Sequence, residues 1–339
     1  MNDPEIVEER SQRNWTRLIP GIVVSLAAII ILLVQIDLQT TWQAFQAIKI
    51  GPVLLAVVAL VVAFITRATS WRVLLQEQVS LKSAFSAEVI GYLLNTVLPF
   101  RLGEVGRAMA LGLRSPLTFW EIFPTILIER IFDLGFLAAF LFSTLPFVVG
   151  ADWATTAAFV ALGLVIAGFT VLFLMVRHPE WVQNIFGWIT NRWPSVKEFG
   201  EDKIDQFIRG LAVLRSPARF LKVFFWLGLT WGLSVLWNTI ILRTFYPNPT
   251  LLEACFIVGL AALGVAAPST QGNLGVYEAA IVSAFIALSA DPANGLAFAL
   301  VTHGVYLLII FLLGFYGLAQ SGISLKEIYT LAQNRPTQQ

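Results

Sequence analysis

The chain has 339 residues, 57% of them hydrophobic and 13% charged, with a mean hydropathy of +0.77. A soluble domain carries roughly 25% charged residues. A soluble globular protein is therefore excluded, because so much apolar surface cannot be hidden in a core beneath a polar exterior. The formal charge of +1 provides no field for nucleic acid, so no nucleic-acid partner is expected. The single cysteine, Cys255, excludes an intramolecular disulfide, and two histidines, His178 and His303, leave little for a metal centre. No cofactor is expected.

In chain order the sequence predicts an all-α polytopic membrane protein. A bilayer crossing takes about 20 mostly apolar residues. The first such run, Leu18 to Ile36, follows a cytoplasmic segment over 1–17 that contains Arg10, Arg13 and Arg17. It is longer than a signal-peptide core and no small-residue cleavage site follows it, so it is expected to be a retained anchor. Runs at about 52–75, 118–148, 154–176, 219–244 and 293–320 bring the predicted crossings to six within one transmembrane domain, 18–320. A cytoplasmic loop at about 178–218 and a tail over 321–339 complete the chain. Fifteen Lys and Arg residues fall on the predicted inner side and only Lys49 and Arg243 on the outer. Both termini are therefore expected in the cytoplasm, with the protein in the plasma (inner) membrane. In the loop, Ile204, Phe207, Ile208, Leu211 and Leu214 recur at helical spacing opposite Glu201, Asp202, Asp205 and Arg209. This predicts an amphipathic helix lying on the inner membrane surface.

Two further apolar stretches, about 84–113 and 252–290, are interrupted in the middle. The first break contains Pro99, Arg101, Gly103, Glu104, Gly106 and Arg107; the second contains Pro268, Ser269, Thr270, Gln271, Gly272, Asn273, Gly275 and Glu278. Both follow the pattern Pro-x3-Gly-x2-Gly, and each half is too short to cross alone. The expected structure is a pair of re-entrant or broken helix hairpins. Three predicted crossings separate them, an odd number, so they enter from opposite faces as inverted repeats. Proline frees a carbonyl, glycine permits the turn, and the half-helix that follows offers N–H groups suited to an anion.

A charged residue at the centre of a membrane helix costs about 2.5–3.5 kcal/mol, so intramembrane charges are candidates for function. Glu104 and Arg107 share a helix face at i and i+3, and Arg101 lies beside them. Glu129 and Asp133 share a face at i and i+4, Arg130 can reach Asp133 at i+3, and the group has one excess negative charge, for which Arg101 or Arg107 is the expected counterion. Arg101 and Arg107 are candidate phosphate ligands, since a guanidinium fork matches phosphate oxygens. Asn95, Ser269, Thr270 and Asn273 are candidates to add hydrogen bonds. Glu278 is read equally as a dipole-complementing first-turn residue, and Ser269 or Thr270 as a simple N-cap. His303, with Tyr306 one turn on, reads as a packed, hydrogen-bonded histidine.

The pattern Asn95 to Arg107 (N-x3-P-x-R-x-G-E-x2-R), the group Glu129-Arg130-x2-Asp133, and Pro268 to Glu278 occur in that order. On these motifs the chain resembles the flippase-like membrane domain family that includes the transmembrane part of lysylphosphatidylglycerol synthases, over about residues 20–320. The family usually has Pro-Gly-Gly where this chain has Gln271-Gly272-Asn273, and more often an arginine near His303. The resemblance implies translocation of a membrane lipid with an anionic headgroup, a phospholipid or polyprenyl phosphate. No catalytic constellation is seen, so an enzyme is not expected. A membrane enzyme acting on lipid-linked sugar or phosphate, and a non-transporting accessory subunit, are the alternatives; oligomeric state is left open.

Overall fold

A computed structural model describes residues 23–98 apart from 24, 33 and 35, and then 102–148, 152–190, 194–266 and 271–322. Every regular element among them is helical. The order is α1, helical at 25–32, followed by α2 (Leu38–Gln46), α3 (Ile50–Leu74), α4 (Leu81–Val97), α5 (Gly103–Gly112), α6 (Phe119–Val148) and α7 (Asp152–Arg177). Then come α8 (Pro179–Thr190), α9 (Pro194–Leu211), α10 (Pro217–Phe245), α11 (Leu251–Ala266), α12 (Val276–Ala287) and α13 (Pro292–Ser321). Among the described residues three helices, α3, α10 and α13, are each long and apolar enough to cross a membrane. The runs predicted at 118–148 and 154–176 are helical as α6 and α7, whereas most of the run 18–36 lies outside the described residues.

The long helices show why an apolar chain packs without a polar coat. In α3, Ala56, Ala59, Ala63, Thr66 and Ser70 are buried at alternating three- and four-residue spacing, while Leu54, Leu55, Val58 and Val62 are exposed. Small residues on one stripe let two backbones come close, which is how helices associate where lipid removes the hydrophobic drive. The partner is α10, antiparallel to α3, with Thr66 and Thr230 hydroxyls 2.8 Å apart and Ser70 donating to the Val223 carbonyl at 3.4 Å. Glycines do the same for α4 and α13, where a Cβ on Gly314 would stand 2.6 Å from Leu93 and one on Gly317 2.8 Å from the Ser86 carbonyl.

Both predicted breaks are present. Leu98 leaves the helical region at φ −92°, ψ 146°, as a residue before proline must, and α5 then folds back along α4. The two are so close that a Cβ on Gly103 would meet the Gly91 carbonyl and Asn95; glycine at both 91 and 103 permits the contact. In the second stretch α11 and α12 form a matching hairpin, with Gly264 against Ala280. Its tip passes through three left-handed residues, Gly272 (φ 71°), Asn273 (φ 56°) and Gly275 (φ 83°). The tips meet: a Cβ on Gly272 would lie 3.8 Å from Thr96, at the end of α4.

The loop helix forms, as α9, but its apolar face is turned inward. Ile208 and Leu211 are buried, Phe207 and Leu214 pack against the buried cluster that includes Ile122, Ile126 and Leu172, and Gly210 abuts the Glu121 carbonyl. The face expected to enter lipid instead packs against α6. Protein gives that apolar stripe the same relief from water that lipid does, and periodicity cannot tell the two apart.

Candidate functional site

Charged side chains converge where α3, α4, α5 and α6 meet. Arg67 of α3 pairs with Glu129, with Asp133 at 2.5 Å and with Glu88 at 3.4 Å. Arg107 of α5 reaches Glu88 at 2.6 Å, Glu104 at 3.1 Å and Glu129 at 3.4 Å. Arg130 reaches Glu104 and Asp133, each at 3.1 Å. The Arg107 guanidinium also lies 4.7 Å from the centre of the Trp71 ring, a cation–π contact, and Trp71 is itself fixed by donating to Thr125 at 3.0 Å. Among the described residues three guanidinium groups thus face four carboxylates. The cluster is buried at Glu88, Glu129 and Arg107 and opens outward at Arg130, whose side chain is 39% exposed.

The helical pairs expected from spacing, Glu104 with Arg107 and Arg130 with Asp133, are both formed. Arg107 does reach the Glu129 group, but its closest counterion is Arg67, to which sequence reading assigned no role. Glu88 was also missed. An arginine two turns before the end of a 25-residue apolar helix and the single glutamate of α4 were the available signals.

Both hairpins close their own helix starts. Asn95 Oδ1 accepts from the Gly103 N–H at 2.8 Å, bridging the first hairpin. Glu278 Oε2 accepts from the Gly275 N–H at 2.7 Å, and Glu278 Oε1 lies 2.6 Å from His303 Nδ1. His303 Nε2 reaches back to the Gly272 carbonyl at 2.8 Å. His303 is thus packed and hydrogen-bonded, as expected. Pro99, Arg101, Pro268, Ser269 and Thr270 lie outside the described residues. Gly106 is buried in the first turns of α5, its N–H bonded to the Leu102 carbonyl at 2.8 Å.

Between the charge cluster and the second tip lies a chamber of about 260 Å³. Its walls are aromatic and apolar, with Phe64, Tyr92, Trp231, Trp237 and Tyr306 prominent. Arg67 stands at one end and Asn273, Tyr277 and His303 at the other, with Ser234 and Asn238 on the α10 wall. Trp231 links wall to cluster by donating to Asp133 Oδ1 at 3.1 Å. Of the eight sequence-chosen ligands, Asn273 alone among those described lines this chamber; Asn95, Glu104, Arg107 and Glu278 are engaged in the contacts above.

Helices throughout the described residues, three of them long and apolar enough to cross a membrane, with two helix breaks meeting beside a chamber, define the class as a polytopic helical membrane domain. The chain matches the family described as the lysylphosphatidylglycerol synthase TM region over residues 18–314, and it belongs to that family. A curated relative, "Glycosyltransferase AglD" of Haloferax volcanii, is 25% identical over 337 residues. The match covers 88% of this chain and 53% of the relative, so the chain spans about half of that protein's length. No solved structure matches.

Proposed function

We propose that the protein moves a lipid with a phosphate-bearing headgroup between the two leaflets of the membrane, with the headgroup passing through the chamber and between the two hairpin tips that meet beside it. The observation that carries this reading is the meeting of Thr96 and Gly272, the ends of two separate helix breaks, beside a chamber. Broken helices at membrane depth are tolerated where they line a cavity, and paired breaks in two halves are how transporters build a substrate site. The chamber's size supports a headgroup as occupant. At about 260 Å³ it is smaller than a pocket for a drug-sized ligand, about 300–1,000 Å³, so the acyl chains stay in the bilayer. Ser234, Asn238 and Asn273 on its walls suit phosphate oxygens or hydroxyl substituents.

In this reading the helices form six crossings and two opposed re-entrant hairpins, with both termini in the cytoplasm of a cell with an inner membrane. The test is leaflet exchange in liposomes that contain the purified protein and trace fluorescent phosphatidylglycerol, phosphatidylethanolamine or a polyprenyl phosphate, followed by dithionite quenching. Ala262→Phe, which fills the chamber, is expected to abolish exchange that Arg101→Ala weakens for anionic lipids. Equal exchange in wild type and Ala262→Phe would refute the path. The relative named as a glycosyltransferase favours one second reading, chemistry on a lipid-linked sugar; product formed by purified protein from such a lipid would establish it.

A further inference from the structure

We infer that His303 and Glu278 form a one-proton site that latches the tip of the second hairpin, and that transport is coupled to the release of that proton. The coupling rests on the transport reading above; the proton site does not.

The argument begins with proton counting. The Gly272 carbonyl can only accept, and it stands 2.8 Å from His303 Nε2, so that nitrogen carries a hydrogen. Glu278 Oε1 stands 2.6 Å from Nδ1. Two lone pairs do not approach so closely, so a proton lies between them, on nitrogen or on oxygen. In either placement the pair is neutral overall and holds one proton more than a neutral imidazole beside a carboxylate. The other Glu278 oxygen holds the Gly275 amide at 2.7 Å. One continuous chain of hydrogen bonds therefore runs from the carbonyl of Gly272 to the amide of Gly275 and spans the left-handed turn between them.

Removing the proton breaks that chain. The pair then carries a full negative charge with both side chains only 7% exposed, and a bare nitrogen faces either the carboxylate or the Gly272 carbonyl. One of the two contacts must open, and the turn loses a fastening on that side. The turn is also where the hairpins meet, since Gly272 lies against Thr96. Loss of the proton thus acts on the junction beside the chamber.

The groups that face the pair do not supply a substitute charge at contact distance. Tyr277 of α12 has its ring 4.6 Å from His303 and its hydroxyl 3.0 Å from Thr302. Tyr306 of α13, Tyr92 of α4 and Arg67 of α3 face it across the chamber. Arg67 is held by Glu129 and Asp133. The residues of α10 and α11 that line the chamber are uncharged, α2 contains no titratable residue, and α1 meets the tip through Ser25 and Ile29.

The test uses the full chain in phosphatidylglycerol nanodiscs, with hydrogen–deuterium exchange of the amides around Gly275 read from about pH 5 to about pH 9, a span that brackets neutrality, and corrected for the intrinsic rate. Protection is expected to fall about ten- to a hundredfold as the pH rises, the range carried by one charge-assisted hydrogen bond. Glu278→Gln is expected to keep its protection throughout, because an amide N–H can donate to Nδ1 while its oxygen still accepts from Gly275. In proteoliposomes, an imposed pH gradient is expected to accelerate lipid exchange by wild type and leave Glu278→Gln unaffected. Wild-type protection that does not change with pH would overturn the proton site, and needs no variant to fold. A tip that opens with pH, in a protein that exchanges no lipid, would uphold the site and overturn the transport reading. Lipid exchange that ignores the gradient would overturn the coupling alone.

Discussion

Replacing Arg67 with methionine keeps most of the side chain's volume and removes its charge from the centre of the cluster. Arg67 makes three hydrogen bonds to carboxylates: one to Glu129 and two to Asp133, at 2.5 and 3.1 Å. Hydrogen bonds to charged groups contribute about 1.5–3 kcal/mol each, but they share one guanidinium and do not add. The better guide is the cost of removing one partner from a buried ion pair, about 3–5 kcal/mol. Arg67→Met leaves four carboxylates facing two guanidinium groups, with Glu88 and Glu129 fully enclosed. A loss of about 3–5 kcal/mol in unfolding free energy is therefore expected, measured by denaturant titration in mixed micelles. The double variant Arg67→Met/Asp133→Asn removes one of the stranded charges and is expected to recover part of that loss. A single variant within about 1 kcal/mol of wild type, the range of an exposed pair, would refute the claim that Arg67 is the cluster's principal counterion.

Other substitutions probe separate links. Arg209→Ala removes a pair to Glu121 of 3.0 Å, but the arginine is 60% exposed, so the same titration is expected to show no more than about 1 kcal/mol. Gly103→Ala forces a methyl into the Gly91 carbonyl and Asn95, and a loss of at least about 1–3 kcal/mol is expected. Gly51→Ala, which meets nothing within 4 Å, is expected to be neutral or to gain up to about 1 kcal/mol from helix propensity; the two alanines together separate close packing from propensity. Asn95→Ala takes the acceptor from the Gly103 amide and is expected to cost about 0.5–2 kcal/mol, as loss of a helix cap does, with faster amide exchange at the start of α5.

Much of this arrangement was legible in the sequence, because its determinants are local. Apolar runs announced α3, α10 and α13, and proline followed by spaced glycines announced both breaks. The pairs Glu104–Arg107 and Arg130–Asp133 followed from helical spacing alone. What escaped notice is set by packing between distant segments. Arg67 and Glu129 are 62 positions apart, and only the approach of α3 to α6 brings them together. Glu88 and Arg107 meet because Gly91 and Gly103 let the hairpin close. The chamber walls come from α3, α4, α10, α11, α12 and α13, and no spacing rule collects those residues. Nor does periodicity show that Glu278 and His303 share a proton, since 25 positions separate them. The inward turn of α9 escaped for the same reason: its stripe was read correctly and its partner was not visible.

The claim that a lipid headgroup passes between the hairpin tips is tested most directly by fastening the tips together. A Cβ on Gly272 would stand 3.8 Å from the Thr96 Cγ2, so side chains at the two positions meet across the tips. A disulfide needs Cβ atoms about 3.5–4.5 Å apart, and its formation is verified by mass before exchange is read. With the native Cys255 removed as Cys255→Ala, the variant Thr96→Cys/Gly272→Cys is reconstituted and leaflet exchange is followed before oxidation, after oxidation and after reduction. The expected result is headgroup-dependent exchange that stops on oxidation and returns on reduction. Undiminished exchange by fully cross-linked protein would contradict a path between the tips.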